Sequence, residues 1–211
     1  MLKKERFESI DVEKLNIVDK DGTIKMTLFN QDHIPPAIMD GKDFLPGHRQ
    51  NWPISGIMFY NGEGDECGGL IFGSEKKENG EYTSSASLTF DQYKQDEVIT
   101  MTYDNENGVS TYGFQIKDRP KTPLPEQIKR LQEIRESDKD EAAKQQEIQA
   151  LWEGSTQRAY MGKNKYGEII VSLMDKKGKP RLRMLVDEQD NPRMEFLDGE
   201  GNVLYKLPPE L

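Results

Sequence analysis

Cysteine and histidine are nearly missing from this 211-residue chain, which holds one Cys, Cys67, and two His, His33 and His48. A single thiol excludes an intramolecular disulfide and a multi-cysteine zinc site. Two imidazoles leave little scope for a histidine-based metal centre or triad. No segment approaches the roughly 20 apolar residues that a membrane helix needs. Met1–Ser9 has a basic start but no apolar stretch after it, unlike a secretory signal. A cytoplasmic protein with no membrane span is expected, and the lone thiol agrees with a reducing compartment. Basic charge is also in deficit, with Lys+Arg 29 against Asp+Glu 38 and a net charge of −9. Nucleic acid is therefore disfavoured as a partner, because phosphate contacts need a net basic surface.

What remains is polar but foldable. Hydrophobic residues make up 34%, and eight Phe, eight Tyr and two Trp are available for a core. The length suits one domain or two small ones. The excess acid sits wholly in residues 1–118, which carry 12 basic and 21 acidic side chains. The pattern changes with the charge, from β-like over 1–118 to helical over 119–154 and back to β-like over 155–211.

The first part opens on a hairpin signal. Leu15 and Ile17 alternate with polar neighbours, Asp19-Lys20-Asp21-Gly22 turns the chain, and Ile24, Met26 and Leu28 alternate again. Pairing about Lys20–Asp21 predicts Ile17 opposite Ile24 and Leu15 opposite Met26 on one face. Further strands are predicted at Gly56–Tyr60, Gly69–Phe72, Tyr82–Phe90, Val98–Tyr103 and Thr111–Ile116, separated by Gly, Asn or Asp clusters. Residues 31–55 contain Pro35, Pro36, Gly41, Pro46, Gly47 and Pro53, so neither a helix nor a central strand fits there. A loop of that length is either functional or disordered.

After Pro120–Pro125, Glu126 to Trp152 has no Gly or Pro and places Ile128, Leu131 and Ile134 at helical spacing, with Ile148, Leu151 and Trp152 near the other end. It predicts one long charged helix stopped at Gly154 and anchored at its ends, since Arg135–Glu141 offers almost no apolar face. The last part repeats. Turn aspartates at Asp175, Asp187 and Asp198 are 12 and then 11 residues apart, a strand plus a turn. Pairing about Gln189 sets Leu182 against Phe196, Met184 against Met194, and Arg183 against Glu195 on the other face. The expected fold is mostly β: antiparallel meanders, barrel- or sandwich-like, flanking the helix, with about five short strands between Ala159 and Leu207.

Three features invite chemistry and fail on inspection. The acidic turns at Asp19, Asp104 and Asp187 lack the glycine and terminal glutamate of a calcium hand, and Asp, Asn and Gly belong in hairpin turns for backbone reasons alone. Gly62–Gly69 lacks the third glycine of a dinucleotide loop and the Lys-Ser/Thr of a P-loop, and three acids sit where an anion would bind. Cys67 stands among those acids, which raise a thiol's pKa and blunt it as a nucleophile. No cofactor, metal or catalytic residue is assigned.

The loop is the best place for a ligand site or an interface, because His33, Asp40, Asp43, His48, Arg49 and Trp52 fall close together in it. A His with a carboxylate is the minimum for general acid–base work. The plainer reading packs Pro35, Phe44, Leu45, Pro46 and Trp52 across one end of the β structure. A basic cluster, Lys176, Lys177, Lys179, Arg181, Arg183 and Arg193, faces acids in its own segment and in the first part. It is read as a contact between the tail and that part, within or between chains.

Three stretches carry a resemblance: Leu15–Thr23 (LNIVDKDGT), Gly56–Gly73 (GIMFYNGEGDECGGLIFG) and the Pro-Arg repeat near the end. Together they resemble a family of uncharacterised bacterial proteins of about this size, over most of residues 8–118 and 157–207. The resemblance implies no activity, cofactor or catalytic residue. In those relatives the central linker is shorter, so 123–153 stands outside it.

Two functions fit. The first is a non-enzymatic binding or assembly protein, homo-oligomeric through strand edges around Asp11–Val18 and Val203–Leu207 and through the helix, with a protein partner also possible. The second is a small-molecule binder or enzyme with its site under the 31–55 loop, His33 or His48 acting with Asp40 or Asp43 and Arg49 holding an anion.

Overall fold

The structure, a computed structural model, describes residues 5–209, so the first four residues of the basic start lie outside it. One antiparallel sheet of twelve strands runs through the chain almost in sequence order. It comprises β1 (Lys14–Val18), β2 (Ile24–Phe29), β5 (Ile54–Tyr60), β6 (Glu66–Lys76), β7 (Tyr82–Asp91), β8 (Glu97–Glu106), β9 (Val109–Asp118), β10 (Thr156–Lys163), β11 (Ile169–Met174), β12 (Pro180–Val186), β13 (Pro192–Leu197) and β14 (Val203–Leu207). The one interruption is a small hairpin, β3 (Ile38–Met39) with β4 (Lys42–Asp43), inside the long loop. The sheet is open, not a closed barrel, and β1 and β14 are its edges. The two predicted β parts share it, because β9 pairs with β10.

Seven hairpins are joined by one kind of turn. In those starting at Asp19, Asn61, Lys77, Asn164, Asp175, Asp187 and Asp198, the first N–H bonds the carbonyl four residues on. The fourth N–H bonds back to the first carbonyl. The fourth residue is left-handed: Gly22, Gly64, Gly80, Gly167, Gly178, Asp190 and Gly201. This is the three-residue hairpin that carries a bulge. Asn61, Asn164, Asp175, Asp187 and Asp198 also accept, through Oδ1, the N–H groups two and four residues on. Those backbone bonds hold the Asp175 and Asp187 carboxyls below their ordinary range.

The bulge corrects the first hairpin. Ile17 faces Met26 and Leu15 faces Leu28, two residues from the predicted register, with Val18 against Ile24 absorbing the bulge. A two-residue slip keeps every side chain on its face. In the last part Leu182–Phe196, Met184–Met194 and Arg183–Glu195 pair as predicted.

The central helix is not continuous. Helix α1 (Leu124–Glu136) ends at Ser137, whose Oγ donates to the Ile134 carbonyl at 2.7 Å. Asp140 then caps α2 (Glu141–Leu151) by accepting the Ala143 N–H at 2.9 Å. Ser and Asp favour their own backbone over an unbroken helix where no apolar face holds it. The two helices fold back on each other, with Gln127 Nε2 bonded to the Leu151 carbonyl at 2.7 Å and Arg130 paired to Glu147 at 3.3 Å. No helix among the described residues is long and apolar enough to cross a membrane.

The two faces of the sheet differ sharply. Following strand partners, one row reads Leu15, Leu28, Ile57, Leu70, Leu88, Met101, Phe114, Met161, Val171, Met184, Met194, Leu207. Every strand contributes one residue and every residue is apolar. Two positions along each strand, the next row reads Ile17, Met26, Phe59, Gly68, Phe90, Ile99, Ile116, Ala159, Leu173, Leu182, Phe196, Tyr205. The flanking row on the other side runs Ser55, Phe72, Ala86, Tyr103, Tyr112, Lys163, Ile169, Val186, Pro192. Lys163 is the one charged side chain in the three rows. The opposite face is mixed: the intervening row holds Asn16, Thr27, Met58, Thr89, Thr100, Gln115, Tyr160, Ser172, Arg183 and Glu195, and the next holds Phe29, Ile71, Ile170 and Leu185 among small and polar residues.

Among the described residues, the loop covers part of the second face and nothing covers the apolar one. The main buried cluster, Phe29, Ile34, Ile54 and Met58, joins the long loop to the second face. On the apolar face Met101 is 54% exposed, Met161 56% and Phe72 53%.

Candidate functional site

The long loop is held by charge as well as by its apolar residues. Arg49 is 9% exposed. Its Nε donates to the Pro35 carbonyl and Nη2 to that of Pro36, both at 2.9 Å, while Nη1 and Nη2 meet the Glu66 carboxylate at 2.9 and 2.5 Å. Burial by itself would lower the guanidinium's pKa, but the bonds to Glu66 outweigh it and raise it. Neither proline has a backbone N–H, so each enters this network only as an acceptor, through its carbonyl.

A second clamp lies at the tips of the hairpins. The Lys94 ammonium stands 2.6 Å from Asp40, 2.5 Å from Asp65 and 2.8 Å from Glu63. Three converging carboxylates resemble a metal nest. Their cation is Lys94, whose pKa those bonds raise. Asp65 is almost fully buried and also accepts the Asp40 N–H at 2.7 Å. The clamp ties the β3–β4 hairpin and the 61–65 and 92–96 turns together.

Beside it is a cleft of about 230 Å³, lined by Phe44, Leu45, His48, Arg49, Glu66, Asp91, Gln95, Asp96, Ile128 and Trp152 among others. The helical hairpin closes one wall. Leu124 N–H donates to the Lys94 carbonyl at 2.8 Å, and Gln95 Nε2 reaches the Thr122 carbonyl at 2.8 Å and the Gln127 side chain. Burial pushes the Asp91 carboxyl up to about 7, helped by Glu66, Asp96 and Glu97, with Arg119 opposing. The cleft therefore holds a carboxyl that changes charge near neutrality, a capacity for proton exchange or for binding a cation.

The residues picked out in the loop disperse. His48 and Arg49 line the cleft. His33 sits elsewhere, its Nδ1 2.9 Å from Asn30 Oδ1 and its Nε2 3.6 Å from Glu13. Asp40 belongs to the Lys94 clamp, and Asp43 accepts the Leu45 N–H at 3.0 Å. Trp52 is 43% exposed, its ring edge-on to His48 at 5.1 Å. Among the described residues no hydrogen bond joins either imidazole to Asp40 or Asp43. Asp91, Lys94 and Gln95 carried no sequence signal, because each acts through partners brought in from distant segments.

Burial pushes the Cys67 thiol up, with Asp91 and Glu66 adding to it. The C-terminal arginines pair within their own segment: Arg183 with Glu195 at 2.6 Å, Arg193 with Glu168 at 3.3 Å, and Arg181 with Asp175 at 3.7 Å. No family model matches the chain, and no curated protein or solved structure matches it.

Proposed function

We propose that this protein is a non-enzymatic assembly protein that works as a homo-oligomer. The observation that carries the reading is its surface. One chain exposes 14,708 Å², against about 10,000 Å² expected for a folded monomer of its mass. Among the described residues the buried apolar side chains are only nine, from Phe29 to Leu197. The long loop covers only part of one face of the sheet, the large apolar side chains of the other are exposed, and domains bury their apolar faces between at least two layers. Strands β1 and β14 are the edges of the sheet, and strand edges also favour association.

The test is native mass spectrometry of the untagged protein. An integer multiple of 24.3 kDa with nothing else bound supports the reading. A monodisperse monomer at high micromolar concentration refutes it.

The second reading places a small-molecule site under the loop, and Asp91 in the cleft is what favours it. Arg49 is a poor anion holder there, since each of its nitrogens already has an acceptor.

A further inference from the structure

Resting on the assembly reading, we infer that the apolar face of the sheet is covered by the same face of a second copy, forming a two-layer sandwich about a twofold axis. The two full rows cross all twelve strands, so the face is about 50 Å wide at the usual strand spacing. Its three rows and their margins extend about 20 Å along the strands, giving about 1,000 Å² per copy. A pair would bury about 2,000 Å², where obligate homodimer interfaces begin.

Three properties favour a copy over another cover. A sheet this wide is twisted, and its cover must match that twist over its whole width; an identical sheet has it, and two such sheets pack at about −30°. The face is not smooth. Successive hollows of about 370, 560 and 520 Å³ lie along it, the first beside Leu28 and Phe72, the second beside Met101 and Met161, the third beside Met184 and Met194. Ridges and hollows of one surface are what an isologous contact interdigitates. Finally, although each chain carries a net charge of −9, the contact buries almost none of it, because Lys163 is the only charged residue in the three rows.

The chain carries its own reporters. Met101, Met161 and Met184 are exposed in one copy, whereas Met39 and Met58 are each 4% exposed within it. Thioether oxidation by dilute peroxide, read peptide by peptide, follows that exposure. In the wild-type particle, at twice 24.3 kDa, the three face methionines should oxidise about tenfold more slowly than free methionine, as the buried Met39 and Met58 should too. The double variant Phe72→Lys, Ile169→Lys alters only side chains already exposed in the single copy. It should have the mass of one chain and oxidise the face methionines at the free rate, with Met39 and Met58 still protected.

A multimer whose face methionines oxidise freely overturns the sandwich but leaves assembly through strand edges standing. A wild-type monomer overturns both. Protected methionines in a particle containing one chain and a different protein or a lipid overturn the second copy as the cover.

Discussion

Arg49 and Glu66 meet two-pronged, Nη1 to Oε1 at 2.9 Å and Nη2 to Oε2 at 2.5 Å, with both side chains mostly out of solvent. The pair joins the long loop to the start of β6, and two proline carbonyls complete the guanidinium's bonds. Arg49→Ala leaves Glu66 half-buried without its cation and two carbonyls without donors. The expected cost is about 3 kcal/mol, at the lower end of what breaking a buried pair costs. Chemical denaturation should show it as a lower midpoint with unchanged slope. A variant as stable as wild type would mean that the loop is held by its apolar residues alone.

Much of this architecture could be read from the chain, and the limits are physical. The meander, both edge strands and the Leu182–Phe196 register followed from alternation, because period-two patterning has few solutions once turns are marked by Asp and Gly. The Ile17 register slipped by two because a bulged turn adds residues without moving a side chain off its face. The helix broke at Ser137–Asp140 because local caps outcompete propensity where no apolar stripe runs through. Alternation also marked the apolar faces, but it cannot tell a face covered within the chain from one left bare. The Lys94 clamp and Asp91 were invisible, since Asp40, Asp65 and Lys94 meet only after three separate hairpins fold.

Two glycines separate backbone conformation from space. Gly201 is left-handed at φ 93 with nothing within 4 Å of a built Cβ. Gly201→Ala should therefore cost only the backbone preference, about 1 kcal/mol. Gly201→Asn should cost less, since Asp190 already fills the equivalent position at φ 63. At Gly162 a Cβ would stand 2.1 Å from the Tyr112 carbonyl oxygen on the neighbouring strand. Gly162→Ala should force β9 and β10 apart and cost about 3 kcal/mol, within the range for steric strain in a packed site. Thermal melts of the three variants should rank Gly201→Asn, Gly201→Ala, Gly162→Ala from mildest to worst, and any other order would undo the distinction.

Asp91 sets a pH dependence whose sign is opposite to that of a paired carboxylate. Its folded pKa is raised to about 7, whereas an unfolded aspartate titrates near 3.9. Between those values the folded chain keeps a proton that the unfolded chain has lost, so this group makes stability fall as pH rises through the window and level off above it. Asp91→Asn removes the ionisation and keeps the shape. At pH 8 the variant should be more stable than wild type by about 2 kcal/mol, the shift discounted for the partial exposure of the cleft. The advantage should shrink below pH 7 and vanish near pH 4. Taking the difference between variant and wild type cancels other titrating groups, including Asp175 and Asp187, whose lowered pKa values act in the opposite sense. Urea midpoints of both proteins at pH 4, 6 and 8 decide the matter. A constant difference would show that Asp91 ionises normally, and the cleft would then lose the group that distinguishes it.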